Sequence, residues 1–392
     1  MKPDMKRLFT LCALLFTVVS YSQNLVLIPY TDSTKTLIKT DRKFNSHFNL
    51  EFASSANAYF TEGQFDELSF KMNRVRLEIY GKLGDRLSYH FRQAFNKSGN
   101  PNSLENITSS IEYAYLTWHH QDKFDLLAGK QCLAVAGYEN WVNGLKVREF
   151  SEFNDNYGLF QTGITGVFKF SPTQHMLLQV ANNRNGAYTD NYAYGLPDGV
   201  EGTKLPLLAT ASWNGWFADG ALFLMYSASA GQLAKGKNMY YLMCGNVYEK
   251  GPVLAYLDVL YARYGIDVQH RITNLQAGGL SPVTAQNTEY FTVIANFDYR
   301  FHPKWNGFIK GAYETAGVYE ANGPFAAGKY MTSWNVQACL EWFPLAEDAG
   351  FKVFLHTIYR GHDMETNANA LGAVRPHTQR ISLGIQYIIP VM

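Results

Sequence analysis

The chain has few charged residues, few cysteines and no second long hydrophobic run. Charged side chains make up 17% of its 392 residues and the formal net charge is +1, which excludes the basic excess typical of nucleic-acid binders. Three of the four cysteines lie beyond residue 22, and their odd number and wide spacing predict neither a disulfide framework nor a metal site. Beyond residue 22 no apolar run reaches the roughly 18 residues of a transmembrane helix.

Aromatic residues and glycine are abundant instead. The chain contains 26 tyrosines, 26 phenylalanines and 32 glycines. Many aromatics combined with few charges and low overall hydropathy indicate a β-protein with one apolar face and one polar face.

The N-terminus has the three parts of a signal peptide. Lys6 and Arg7 form a basic region, residues 8–19 are apolar, and small residues precede a predicted cleavage site before Gln23. Removal of residues 1–22 leaves a net charge near −1. We therefore expect an exported protein in which residues 23–46 form a polar lead-in segment.

Long stretches of alternating apolar and polar residues follow. The clearest are residues 291–301, 334–342 and 381–389. Such runs are about 9–14 residues long, which matches the length of strands that cross a bilayer rather than the ~5–6 residues of soluble strands. The pattern predicts antiparallel strands with one apolar face.

The connections between these stretches alternate in length from residue 47 to residue 392. We predict about 16 strands, seven tight turns and eight long loops, including loops near 61–67, 132–157 and 231–237. An even strand number with short periplasmic turns and long outer loops is typical of an all-β transmembrane antiparallel barrel. Such a sheet closes on itself because lipid cannot satisfy free backbone groups. A soluble sandwich or propeller is the alternative, which the strand lengths and the lack of a blade-length repeat disfavour.

Residues 74–95 form a predicted hairpin with a charged face. Arg74, Arg76 and Glu78 share one side of the first strand, and a turn at Gly84-Asp85 follows. We expect Arg74 to lie near Arg92, and Arg76 near His90.

Two segments break the alternation. Phe70 and Met72 share the phase of Arg74, which a β-bulge or a loop–strand boundary explains. Residues 253–261 are apolar on both faces, which fits a partly plugged lumen or a contact between protomers.

The stretches Arg74-Val-Arg76-Leu77, Glu112–Leu116 and Leu126–Lys130 resemble the phosphate-selective porins O and P. The similarity in order and spacing extends over roughly residues 45–185. The resemblance implies a homotrimeric outer-membrane porin whose third outer loop folds inward. Cys132 and Ala134 depart from the lysine and proline that usually follow, and phosphate selectivity does not follow from the resemblance.

A pore selects by charge and width, so charged residues on the predicted inner face are the candidate site. The predicted lining cations, which attract anions, are Arg74, Arg76, Arg92 and Lys130. The alternative is a solvated face whose arginines pair locally with Glu78.

The third outer loop, near 132–157, is the predicted constriction. Its charged residues have both signs and are Glu139, Lys146, Arg148, Glu149, Glu152 and Asp155. If the loop stays outside, it is a surface loop. Its aromatic residues form either a track for sugars or anchors to the wall, and these residues are Tyr138, Trp141, Phe150 and Phe153.

No nucleophile, P-loop or zinc-protease motif occurs in the chain. We expect no enzymatic activity, no metal and no cofactor. The expected function is passive diffusion of small hydrophilic solutes, with inorganic anions such as phosphate as one candidate class. The alternatives are a carbohydrate-specific porin, a closed structural or adhesive barrel, and a barrel-embedded lipid hydrolase. Outer-membrane lipid surrounds the barrel in each case, and no nucleic acid is expected as a partner.

Overall fold

The computed structural model describes residues 44–276, 282–345 and 350–391. The predicted signal peptide and most of the predicted lead-in segment lie outside the described residues. The first strand begins at Phe44, slightly before the start at residue 47 that the sequence suggested.

Sixteen strands account for most of the described chain. They are β1 Phe44–Thr61, β2 Gln64–Leu83, β3 Leu87–Ala94, β4 Ile111–His120, β5 Phe124–Cys132, β6 Phe160–Ser171, β7 Gln174–Asn182, β8 Leu207–Phe217, β9 Leu222–Ala234, β10 Lys237–Lys250, β11 Val253–Ile266, β12 Gln286–His302, β13 Trp305–Val318, β14 Gly328–Trp342, β15 Phe351–Met364 and β16 Thr378–Pro390. Five short helices lie in the connections, namely α1 Tyr138–Trp141, α2 Gly144–Val147, α3 Glu152–Asp155, α4 Tyr188–Asn191 and α5 Thr366–Ala370, with one 3-10 turn at Thr273–Leu275.

The sheet is a closed antiparallel barrel. Each strand pairs with its neighbours in sequence, and β1 pairs with β16, so that Phe52 lies opposite Tyr387. The prediction of an all-β barrel of about 16 strands is confirmed. Closure removes free sheet edges along the wall, which a lipid environment requires.

The two faces of the wall differ in polarity. Exposed leucine, isoleucine and phenylalanine side chains cover the outside, for example Leu178, Phe297 and Ile309. Their sequence neighbours, such as Gln179 and Lys310, are buried inside. The period of two places these sets on opposite faces, as the alternation in residues 291–301 predicted.

Short turns lie at one end of the barrel and most long connections at the other. The predictions of long loops near 61–67 and 231–237 are wrong. The β1–β2 connection contains only residues 62–63, and the β9–β10 connection contains only residues 235–236. Gly63 and Gly236 have φ values of 77° and 73°, which tight hairpin turns require. Polar residues flanking these turns belong to strands that extend beyond the membrane-length core.

A β-bulge lies where the alternation breaks. Ala53 pairs with Arg74, but the next residue, Ser54, pairs with Met72, which leaves Asn73 as the extra residue. The bulge turns Phe70 and Met72 outward while Arg74 stays on the inner face. The interpretation of this break as a bulge is confirmed.

Three further observations concern the described residues. No helix among the described residues is long and apolar enough to span a membrane. Within residues 44–276, 282–345 and 350–391, no group of three or more histidine, cysteine, aspartate or glutamate side chains is arranged to hold a metal ion. The cysteines described, Cys132, Cys244 and Cys339, are all free thiols.

Candidate functional site

The connection from β5 to β6, residues 133–159, contacts inner-face side chains on many strands. We call it the β5–β6 loop; it carries α1, α2 and α3. A backbone hydrogen bond of 2.8 Å from Leu133 to Leu159 closes its base. Farther along, Ala136 N donates to Ser227 Oγ on β9 at 2.8 Å, and Glu139 N donates to Asp258 Oδ2 on β11 at 3.3 Å. The loop therefore runs along the inner wall.

Aromatic side chains attach one side of this loop to the wall. Tyr138 stacks on Tyr256 with ring centroids 4.4 Å apart, and Tyr157 meets the edge of Tyr241 at 5.2 Å. Phe153 is completely buried. These contacts explain why β11 is apolar on both faces, since its inner residues pack against the loop instead of water. The buried rings act as anchors and do not form an exposed track.

The centre of the loop is held by a buried ion pair. Lys310 Nζ on β13 lies 2.8 Å from Glu139 Oε1, and both side chains are at most 1% exposed. Glu139 Oε2 also accepts hydrogen bonds from Ser151 N at 3.2 Å and Asn154 Nδ2 at 2.8 Å. Lys310 further donates to the carbonyls of Val147, at 3.1 Å, and Glu149. One lysine thus links three parts of the loop to the wall.

A second set of contacts surrounds Glu152 at the start of α3. Arg271 Nη2 lies 2.8 Å from Glu152 Oε2, and His362 Nε2 lies 2.7 Å from Oε1. Burial alone would raise the pKa of Glu152, but the hydrogen bond with His362 and the charge of Arg271 outweigh it. The pKa of Glu152 is therefore well below its ordinary value, and the group stays ionised.

The same end of the loop is held by backbone contacts. Glu314 on β13 accepts hydrogen bonds from the backbone N–H groups of Glu152 and Phe153, each at 2.9 Å. Arg271 Nη1 lies 3.5 Å from Glu314 Oε1, so this arginine bridges both carboxylates. The α3 segment is therefore fixed between β13 and the β11–β12 loop.

The remaining charges of the loop divide into two groups. Arg148 Nη2 lies 2.6 Å from Glu341 Oε1 on β14, and Glu149 pairs with Arg380 on β16. Lys146 and Asp155, in contrast, have exposed side chains. Glu139, Arg148, Glu149 and Glu152 therefore meet opposite charges on the wall or on another connection.

The predicted wall arginines lie together but are neutralised by carboxylates. Arg76 lies 2.5 Å from Glu51 and 3.0 Å from Glu112, while Arg92 Nε lies 2.9 Å from the same Glu112 oxygen. Asn143 of the β5–β6 loop accepts from Arg76 Nη2 at 2.6 Å and from Arg74 Nη1 at 3.3 Å. The loop thus also reaches β2.

The predicted register of this hairpin is wrong. Arg76 lies opposite Ala94 instead of His90, and Arg92 lies opposite Glu78 instead of Arg74. The turn contains three residues, Gly84 to Arg86, and the observed pairing is displaced by four residues from the expected one. The displacement is even, and for that reason the charged residues keep the predicted face.

Lys130 is the fourth predicted cation. Its Nζ lies 2.6 Å from Glu105 Oε2, and both side chains are at most 2% exposed. Glu105 comes from the β3–β4 loop and also accepts from Thr162 N at 2.6 Å. The Lys130 charge is thus compensated inside the wall.

Several residues that position the β5–β6 loop were missed from the sequence. Lys310 and Glu314 lie on the inward phase of β13, so strand alternation alone would have placed them in the lumen. Glu51 on β1 and Glu112 on β4 likewise lie on the inward phase of their strands and could have been placed in the lumen by the same alternation. Arg271 lies in a loop, where no periodicity marks it.

Comparisons with known proteins agree with this architecture. The family model for phosphate-selective porin O and P matches residues 46–389. No curated protein matches the chain in sequence.

Solved structures of outer-membrane channels have the same fold. The outer membrane channel DcaP of Acinetobacter baumannii superposes with a TM-score of 0.62 at 13% identity, covering 90% of this chain and 99% of that one. OmpF of Salmonella typhi, in complex with daunomycin, gives 0.57 at 12% identity, covering 88% and 97%. OmpT of Vibrio cholerae, folded in vitro, gives 0.54 at 12%, covering 91% and 100%. With the family match extending over nearly the whole barrel, the chain belongs to the phosphate-selective porin O and P family, whose members are outer-membrane porins.

Proposed function

We propose that this porin passes small hydrophilic solutes through a lumen that the β5–β6 loop narrows to a constriction with both charge signs. The observation that carries the proposal is the series of opposite-charge contacts between this loop and its surroundings. Glu139 meets Lys310, Arg148 meets Glu341, and Glu152 meets Arg271. These buried pairs hold the loop in place, while Glu149, Arg360 and Arg380 stay 20–26% exposed and supply both charge signs. Fixed charges of both signs orient dipolar solutes and give weak selectivity between ions.

Phosphate selectivity is not part of this proposal. A selective anion pathway needs cations that are free to replace the hydration of the solute. Arg76 and Arg92 are each only 3% exposed and share Glu112. Lys130 is paired with Glu105. The arrangement therefore supports a general diffusion pore more than a ladder of free cations.

Conductance measurements test the proposal. Purified protein inserted into a planar bilayer should produce stepwise currents in KCl, with a reversal potential near zero in a salt gradient. Replacing chloride by phosphate should leave the reversal potential nearly unchanged. Adding a maltooligosaccharide should leave the current unblocked because Tyr138 and Phe153 are buried. A folded protein without conductance would favour a closed structural barrel, and sugar-dependent block would favour a carbohydrate porin.

We also propose that the mature protein begins at Gln23 and forms a homotrimer. The family resemblance supports the trimer, and one solved form of OmpT from Vibrio cholerae is described as a trimer, with a TM-score of 0.51 and 13% identity. The mass of the protein isolated from outer membranes tests the cleavage site. Native mass spectrometry of the same sample tests the oligomeric state, and a monomer would overturn it.

A further inference from the structure

A small polar cavity lies beside α3, at the end of the barrel that carries the long connections. Its volume is about 170 Å³. We call it the mouth cavity. The β5–β6 loop contributes Asp155, the β11–β12 loop contributes Gln269 and Arg271, β15 contributes Arg360, and the β15–β16 loop contributes Arg375. Four separate elements therefore bring groups of both signs to one small space.

Part of the charge in this cavity is already satisfied. Arg271 is 2% exposed and binds Glu152, Glu314 and Ser333 Oγ, the last at 2.7 Å. Glu152 in turn binds His362. These groups hold the cavity wall in place and have little capacity left for a solute.

Other groups are only loosely paired. Among the described residues, Arg375 Nη1 approaches Glu152 at 4.0 Å. Arg360 lies 3.8 Å from the other oxygen of the same carboxylate and 3.8 Å from Glu149. All three distances exceed those of hydrogen bonds. These two guanidinium groups, which are 28% and 20% exposed, keep donors available to a solute.

The opposite sign is represented by Asp155 and an amide. No hydrogen bond or ion pair joins the Asp155 carboxylate to another described side chain, and the side chain is exposed. Gln269 is 3% exposed, and its buried Oε1 has no hydrogen-bond partner among the described residues. A buried acceptor without a partner costs free energy unless water or a solute donates to it.

We propose that the mouth cavity binds a small zwitterion of the amino-acid class. The guanidinium groups of Arg360 and Arg375 receive the carboxylate, since planar forks match carboxylate geometry. Asp155 receives the ammonium group, with Gln269 beside it in the cavity lining. A plain anion lacks a partner for Asp155 and is repelled by it, while a plain cation is repelled by the arginines. The cavity holds several water molecules, which is the space that a small amino acid needs.

This binding site rests on the proposed function in one respect: solutes must reach the mouth cavity from outside, between the long connections. Binding is measured on the full-length protein in detergent micelles, where no conduction is required. Isothermal titration at low salt compares alanine with propionate and ethylammonium, which carry only one of its two charges. Alanine should bind about tenfold more tightly than either probe.

Two variants locate the site, and a third is the control. Asp155→Asn should reduce alanine binding to the level of propionate, and Arg375→Gln should weaken both alanine and propionate. Lys235→Gln, in the distant and exposed β9–β10 turn, should change nothing. Heat-modifiable migration on gels verifies that each variant is folded, and conductance in bilayers provides a second check.

Three results would overturn the site. They are propionate binding as tightly as alanine, unchanged alanine binding in Asp155→Asn, and no alanine binding in protein that conducts KCl. Alanine binding by a protein without conductance would instead contradict only the proposed function.

Discussion

Lys310 and Glu139 form a buried ion pair that joins the middle of the β5–β6 loop to the wall of the barrel. The Nζ–Oε1 distance is 2.8 Å, and both side chains are at most 1% exposed. Because Lys310 also binds two loop carbonyls, the position of the loop depends on this residue more than on any single aromatic anchor.

Lys310→Met should therefore release the centre of the loop. Removing one partner of a buried pair leaves an uncompensated charge and typically costs about 3–5 kcal/mol. We expect higher single-channel conductance with more current noise, and loss of thermal stability measured by heat-modifiable gel migration. The matched control is Lys235→Met, whose ion pair with Glu201 is about three-quarters exposed and contributes ~0–1 kcal/mol. If Lys310→Met keeps the conductance and thermal stability of the wild type, Lys310 does not hold the loop in place.

Gly245 on β10 allows the loop backbone to approach the wall. A Cβ atom placed there would lie 2.9 Å from the Cα of Gly137, closer than side-chain carbons tolerate. Gly245→Ala should displace the start of α1, weaken the stacking of Tyr138 on Tyr256 and change the conductance.

The control for this substitution is Gly307→Ala, where the nearest heavy atom to a new Cβ lies 3.6 Å away. Single-channel recordings of both variants, with a crystal or cryo-electron microscopy structure of the first, provide the comparison. Equal conductance in the wild type and both variants would show that contact at Gly245 does not position the loop.

Acidification should make the mouth of the pore more attractive to anions. Partial loss of hydration among the surrounding loops and the charge of Glu149 raise the pKa of Asp155. Asp155 therefore loses its negative charge at a higher pH than an ordinary aspartate, while Glu152, with its lowered pKa, remains ionised. The net charge near α3 becomes more positive as the pH falls.

Reversal potentials in a KCl gradient measure this effect between about pH 7 and about pH 4. The wild type should shift toward anion selectivity on acidification, and Asp155→Asn should show part of that selectivity already at neutral pH and a smaller shift. Glu201→Gln, at an exposed and distant site, serves as the control. The same pH-dependent shift in Asp155→Asn would assign the titration to another group.

The barrel could be predicted from the sequence because each membrane-length strand carries its own signal. The alternation in residues 291–301 or 334–342 identifies strand and face without knowledge of the neighbouring strands. Register was harder, since it depends on turn geometry that the sequence does not specify, and Arg76 pairs four residues away from its expected partner. The polar residues beside Gly63 and Gly236 belong to long hairpin strands. Their amino-acid composition resembles that of a loop, so the sequence did not distinguish the two.

The candidate site was only half predictable. Clustered charges of both signs, among them Glu139, Arg148 and Glu152, marked the β5–β6 loop as a candidate constriction. Their partners lie on β13, β14 and the β11–β12 loop, more than a hundred residues away in sequence. No local pattern records which side chains meet across a closed barrel, so Lys310 and Arg271 emerged only from the three-dimensional structure.

The closure of β1 against β16 also sets an order of events during assembly. The β5–β6 loop is synthesised before β13, β14 and β16, which supply its ionic partners, so the full set of these contacts forms only after the last strand is in place. Until then its carboxylates are best stabilised by water. Docking of this loop is therefore completed only after β16 has been added, and a chain truncated before Thr378 would lack both Arg380, the partner of Glu149, and the strand that closes the barrel.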